Sequence, residues 1–202
     1  MISPADKERI SQAIKDAEAK TAGEIFCILA HRSSDYALVP IVWAAAIAFV
    51  IPVPLIYLTL WPAWLIYAIQ VVTFMGGALA LSLPGIRFAL VPRGTAHDRA
   101  HALAMRQFLA QGLHQTEKRT GVLIFASLAE RYAEIVADSG INAKVDSAVW
   151  ERAIAALVAQ MKEGRTAEGF IAAIEQCGAV LAQHFPPGTL NRDELPNKLV
   201  EI

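Results

Sequence analysis

Residues 36–86 read YALVPIVWAAAIAFVIPVPLIYLTLWPAWLIYAIQVVTFMGGALALSLPGI, 51 consecutive positions without Asp, Glu, Lys, Arg or His. All 37 charged side chains of the 202-residue chain fall in the other 151 residues. That is about one in four, the ordinary density of a water-soluble domain. The chain is therefore two materials, a globular part and an apolar segment inserted into it. A helix rises about 1.5 Å per residue, so roughly 20 apolar residues cross the ~30 Å hydrocarbon layer. The stretch holds two crossings and a tight turn. The expected helices are about 38–58 and 64–84, with the turn around Trp61-Pro62 between Thr59 and Ala63. Tyr57, Trp61, Trp64 and Tyr67 then gather at the turn, where amphipathic rings favour the headgroup level. A turn at Pro52-Val53-Pro54 would leave a first helix of about 16 residues, short of a crossing. These prolines read as a kink in the first helix.

This division excludes a wholly soluble enzyme, a disordered tail and a collagen-like fibre. A net charge of −1 and a pI near 6.5 exclude a generic basic nucleic-acid binder. Cys27 and Cys177 make no disulfide framework and fit no zinc spacing. The apolar run starts too late, and is too long, for a signal peptide. Neither crossing carries an ionisable group, which argues against a transporter or channel. Basic residues flank the spans on both sides, Lys7, Arg9, Lys15, Lys20 and Arg32 before them and Arg87, Arg93, Arg99 and Arg106 after them. The turn has none. The positive-inside rule thus places the N-terminus and the C-terminus in the cytoplasm, with two spans in a bacterial-type inner membrane. The first 35 residues show no leader that would export them. Ala44-Ala45-Ala46 and Met75-Gly76-Gly77-Ala78 are small-residue patches. They suit either packing of the two spans on each other or a homodimer face.

The soluble flanks read as alternating elements. Ser3-Pro4 caps a helix over 2–20 with Ile10, Ala13, Ile14 and Ala17 on one face. Glu24–Ala30 is a buried strand. A helix over about 95–115 follows the spans, with Ala100, Leu103, Ala104, Phe108 and Leu109 inward. Val122–Ser127 and Glu134–Asp138 are two strands joined by a link short enough for an antiparallel hairpin. Helices over 147–163 and 166–184 complete the order. Trp150, Ile154, Leu157, Val158 and Met161 face inward from the first, and Thr166-Ala167-Glu168 caps the second. Pro186-Pro187-Gly188 ends that helix, and the tail over 186–202 is expected to be loop. The fold class is α/β: a small mixed sheet sandwiched by helices, interrupted by a two-helix transmembrane hairpin. The expected organisation is residues 1–35 and 87–185 as one domain around the hairpin 36–86.

Thr120-Gly121-Val122-Leu123-Ile124-Phe125-Ala126-Ser127-Leu128, then Glu130-Arg131 and Ala133-Glu134-Ile135-Val136-Ala137-Asp138-Ser139-Gly140-Ile141, resembles the TPM domain. That family includes a plant thylakoid-lumen protein and bacterial relatives. The branch with a membrane hairpin after the first strand is the most similar. The resemblance covers about 20–35 and 95–185. It implies an α/β/α sandwich. A phosphatase activity on phosphate esters is attributed to some members, and divalent metal binding to others. Many relatives hold the domain outside the cytoplasm, whereas the basic residues here place it inside.

Asp138-Ser139-Gly140 lies at a strand end, where α/β sites gather, and Asp146 follows a short loop later. A calcium or magnesium ion needs several oxygen ligands, and Glu134, Asp138 and Asp146 are the candidate metal ligands. The other reading is that Asp138 caps its turn and Asp146 caps the helix opening at Ser147. His97 and His101 share a helix face, but Arg99 between them would repel a cation; they read as a solvated face. Arg131 sits at the hairpin tip, as an exposed turn residue or a phosphate contact. No catalytic set or resident cofactor is evident. The expected function is a non-catalytic interaction or assembly module for a membrane protein complex. Its partners would be the lipid bilayer and another membrane protein, with no nucleic acid. The alternative is a divalent-metal-dependent phosphatase at the membrane face.

Overall fold

The computed structural model describes residues 2–116, 118–187 and 194–202. Helix α1 spans Pro4–Glu18, with Ser3 Oγ accepting the Asp6 N–H at 3.1 Å. Strand β1 spans Glu24–Ala30. Helices α2 (Leu38–Val50), α3 (Pro52–Leu58) and α4 (Ala63–Leu81) follow, then a short α5 (Pro84–Arg87) and a 3-10 turn at 88–90. Helix α6 runs Arg93–Ala110. Strands β2 (Gly121–Ser127) and β3 (Tyr132–Ala137) precede the one-turn α7 (Ser139–Asn142), α8 (Ser147–Lys162), α9 (Thr166–His184) and strand β4 (Leu199–Glu201). The chain forms two compact units, one over 34–96 and one from the described residues of 1–33 and 97–202.

The second unit is a four-stranded mixed sheet in the order β3-β2-β1-β4. β1 runs parallel to β2, from Glu24 opposite Gly121 to Ala30 opposite Ser127, and parallel to β4. β3 runs antiparallel to β2. Every residue of β1 and β2 is buried, because helices cover both faces of these central strands. Ile25, Cys27, Leu29, Val122, Ile124 and Ala126 meet α1, α8 and α9 on one face. Phe26, Ile28, Leu123 and Phe125 meet α6 on the other, against Ala100, Ala104 and Phe108. The strand period of two splits the two continuous apolar runs between two cores.

Three local expectations change. The C-terminal tail is not all loop: Leu199–Glu201 pairs with Cys27–Leu29 as an edge strand. Leu199 is buried, and Lys7 Nζ holds Glu201 at 2.9 Å. Three residues carry too little periodicity to read as a strand; the exposed edge of β1 supplies the pairing. Leu109 is half exposed, because α6 buries only the narrow i, i+4 row of Ala100, Ala104 and Phe108. Thr166 does not cap α9; Arg165 holds the cap position without a side-chain bond. Pro186 and Pro187 follow α9, and Gly188 lies outside the described residues.

In the other unit, α2 and α3 join at Ile51, whose backbone stays helical (φ −55°, ψ −42°). They make one 21-residue apolar helix over Leu38–Leu58, with a 19-residue partner over Ala63–Leu81. Both are long and apolar enough to cross a membrane, and only 17% and 6% of their apolar windows are buried. The small residues meet within the hairpin. A Cβ at Gly77 would touch the Ala44 Cβ at 3.5 Å, whereas one at Gly76 meets nothing within 4 Å.

Candidate functional site

The direction of β3 decides where the sheet's working end lies. Because β3 is antiparallel, its C-terminal residue meets the start of β2: the Asp138 N–H donates to the Gly121 carbonyl at 2.9 Å. Asp138 is therefore at the amino ends of the parallel strands. The rule that sites gather at strand ends concerns carboxyl ends. Those lie at Ala30 and Ser127, six residues or about 20 Å away along the sheet.

At that carboxyl end a polar cluster is buried. The Ser127 hydroxyl donates to Glu130 Oε2, the Ser33 N–H donates to Glu130 Oε1 at 2.9 Å, and the Ser33 hydroxyl donates to Ser127 Oγ at 3.2 Å. Ser127 and Glu130 are almost wholly shielded from water. The β2–β3 turn supplies this geometry. Leu128 and Ala129 continue the ladder to the Ala30 and His31 carbonyls, and the chain reverses at Arg131. Arg131 adopts φ 50°, the left-handed region that glycine fills without strain. An arginine there costs roughly 1–2 kcal/mol of backbone energy.

Beside the turn lies a cavity of about 460 Å³ lined by Ser127, Leu128, Arg131, Val158, Met161 and Lys162, among others. Val158, expected in the core, is half-buried and forms this wall instead. Arg131 and Lys162 are exposed and make no ion pair among the described residues.

The three candidate metal ligands do not gather into one site among the described residues. Asp138 is buried and caps α7, with Oδ1 accepting the Ser139 N–H at 2.6 Å and Arg119 Nη1 3.9 Å away. Its Oδ2 is buried with no hydrogen-bond partner among the described residues. Asp146 is exposed and caps α8, accepting the Ala148 N–H at 3.0 Å. Glu134 lies four residues before Asp138, about 13 Å up the strand. Among the described residues no three His, Cys, Asp or Glu side chains gather to hold a metal. The orphaned Asp138 oxygen is one donor, and the donor set does not fit a bound cation.

Glu134 instead joins the two histidines of α6. Its Oε2 contacts His101 Nδ1 at 2.9 Å and accepts the Tyr132 hydroxyl at 3.1 Å. The His97 ring lies 5.0 Å from that of Tyr132. Burial, with the Glu134 carboxylate beside it, pushes the Tyr132 phenol up to about 12. His97 and His101 are both exposed and lie over β3, against Tyr132 and Glu134 respectively. Their i, i+4 spacing announced a common face; only the sheet showed what meets it. The Ser33–Ser127–Glu130 cluster had no sequence signal beyond a serine ending an apolar strand three residues before a glutamate.

Two glycines fix the ends of the 120–141 motif. A Cβ on Gly121 would stand 2.4 Å from the Leu113 carbonyl oxygen, and one on Gly140 would stand 2.6 Å from that of Arg119. The loop before β2 can approach both sites only where the side chain is hydrogen.

Residues 84–180 match the family model of the TPM domain. A TPM domain lies over residues 84–180. The sequence expectation of a mixed-sheet sandwich holds for the unit that carries the sheet. No curated protein matches the chain significantly. Among solved structures, the NMR structure of the BA42 protein from the psychrophilic bacterium Bizionia argentinensis is similar, at a TM-score of 0.64 and 22% identity. That match covers 100% of this chain and 95% of BA42. At this identity the likeness speaks to fold.

Proposed function

We propose that the protein is a two-span inner-membrane protein whose TPM domain is a non-catalytic interaction module, facing the cytoplasm and docking on another membrane protein. The observation that carries this reading is the pair of long helices, 38–58 and 63–81, whose apolar surface is left largely uncovered. Lipid satisfies such a surface, and water does not. Basic residues on both flanks and none in the turn at 59–62 support the orientation. The capping roles of Asp138 and Asp146 support a binding role over hydrolysis. A homodimer through the hairpin is a further partner open to Gly76.

The test uses the full chain in cells. The protein is expected to remain in the pellet after carbonate washing. Leu60→Cys, in the span turn, is expected to react with an impermeant maleimide from the outside. Cys27 and Cys177 are fully buried and give no background. Extraction into the carbonate supernatant, or labelling only after lysis, refutes the topology. In mild detergent a complex of one fixed mass supports the module reading. Phosphate-ester turnover abolished by both Asp138→Asn and Asp146→Asn, with the fold intact, replaces it with hydrolysis.

A further inference from the structure

The cavity beside the β2–β3 turn has no role in the reading above, and its chemistry is specific. Two cations, Arg131 on the turn and Lys162 at the end of α8, line one space with no acid among the lining residues and no ion-pair partner among the described residues. The nearby acid, Glu130, is engaged by the Ser127 hydroxyl and the Ser33 N–H. The remaining wall joins Ser127 and Tyr132 to an apolar, adaptable part, Leu128, Ala133, Val158 and Met161. About 460 Å³ lies within the range of small-molecule sites. It also adjoins the carboxyl ends of the parallel strands, where α/β folds place ligands. Arg131 keeps a guanidinium at a backbone position suited to glycine (φ 50°), and strain of that kind collects at ligand sites.

The sign and size of the ligand's charge follow from α8. Met161 and Lys162 are its last residues, so the cavity lies beside the helix's C-terminal, negative end. Phosphate sites use the opposite, N-terminal end of a helix. Here the dipole opposes a dianion, and Lys162 offsets the dipole's own charge. Arg131 and Lys162, less the dipole's half charge, leave about one and a half positive charges, which suits a singly charged head better than a dianion. We propose that this cavity binds an organic monocarboxylate, its head between Arg131 and Lys162 and a short apolar stem against Leu128, Val158 and Met161. The site stands independently of how the hairpin meets the membrane.

The test follows the ¹³C-methyl resonance of Met161 in the full chain in lipid nanodiscs, titrated with hexanoate. Hexan-1-ol, acetate and inorganic phosphate are the comparison probes. Hexanoate is expected to shift the resonance saturably. Hexan-1-ol, which lacks the charge, acetate, which lacks the stem, and phosphate are each expected to bind at least ten-fold more weakly. Arg131→Gly and Lys162→Gln are each expected to weaken hexanoate at least ten-fold. Arg131→Gly suits the backbone conformation already present, so it separates loss of the ligand contact from loss of fold. Continued protection of Cys27 from thiol reagents reports that the fold is kept. Phosphate binding as tightly as hexanoate overturns the assignment of ligand class. Hexan-1-ol binding as tightly, unchanged affinity in both variants, or no saturable shift overturns the site.

Discussion

Replacing Gly121 by alanine tests the packing that holds the TPM sheet to the loop before it. The added Cβ would stand 2.4 Å from the Leu113 carbonyl oxygen and 3.0 Å from its carbon. Neither atom is the free end of a side chain. Leu113 is fully buried, and its backbone follows Gly112 at φ 75°, so the loop is pinned on both sides. Relief must come from separating β2 from the 113–115 turn by several tenths of an ångström. Overpacking of this kind costs typically 1–3 kcal/mol. The alanine returns about 0.4–1 kcal/mol by restricting the unfolded chain, provided the backbone suits it. A backbone contact this close places the cost at the upper end, about 3 kcal/mol, so a net loss of about 2 kcal/mol is expected, which multiplies the open population about 30-fold. The assay exploits the cysteines. Cys27 in β1 and Cys177 in α9 are the chain's two thiols, and both have no exposed surface. Burial alone pushes the Cys177 thiol up to about 12, and burial, with the neighbouring Cys177 and Glu18, drives that of Cys27 upward, so both react through opening of this unit. Labelling of the full chain in mild detergent is expected to accelerate about 30-fold in Gly121→Ala. Gly94→Ala, whose Cβ meets nothing within 4 Å, is expected to label no faster than the parent. Equal rates for Gly121→Ala and the parent would refute the argument that the absent Cβ is what lets the loop close.

Phe125→Ala empties the α6-facing core at a fully buried position, and an expected loss of about 3–5 kcal/mol should raise the same labelling rate more than 100-fold. Asp138→Ala removes the α7 cap, with an expected loss near 1 kcal/mol read as a several-fold rate increase. The Lys7 ammonium holds the Glu201 carboxyl below its ordinary value, so this contact stabilises the fold above about pH 4 and is lost as pH falls through the lowered folded value. Protection of the Ile202 and His31 amides, which bond across β4 and β1, measured against their intrinsic exchange rates, is expected to fall in acid, and Lys7→Met is expected to reduce that pH dependence.

The amino-acid sequence by itself determined the elements whose signal is local. Fifty-one uncharged residues specify two long apolar helices whatever surrounds them, because no other arrangement spares their surface from water. Near-continuous apolar runs at 24–30 and 122–127 specify buried strands, and Ser3, Asp138 and Asp146 mark caps because a short polar side chain before a helical pattern answers the free N–H groups of its first turn. The family motif was legible for the same reason, as glycines at tight approaches between short strands. What only the tertiary structure decided is everything set by strand direction and long-range pairing. The antiparallel course of β3 sends Asp138 to the amino ends of the parallel strands and leaves Ser127, Glu130 and Arg131 at the carboxyl ends. Ser33 reaches Glu130 across 97 positions of sequence, and Leu199–Glu201 becomes a strand only because β1 offers it an edge. A hydrogen bond between distant residues leaves no periodicity in either segment. The chain therefore writes down which pieces form, and the sheet's pairing chooses which side chains meet.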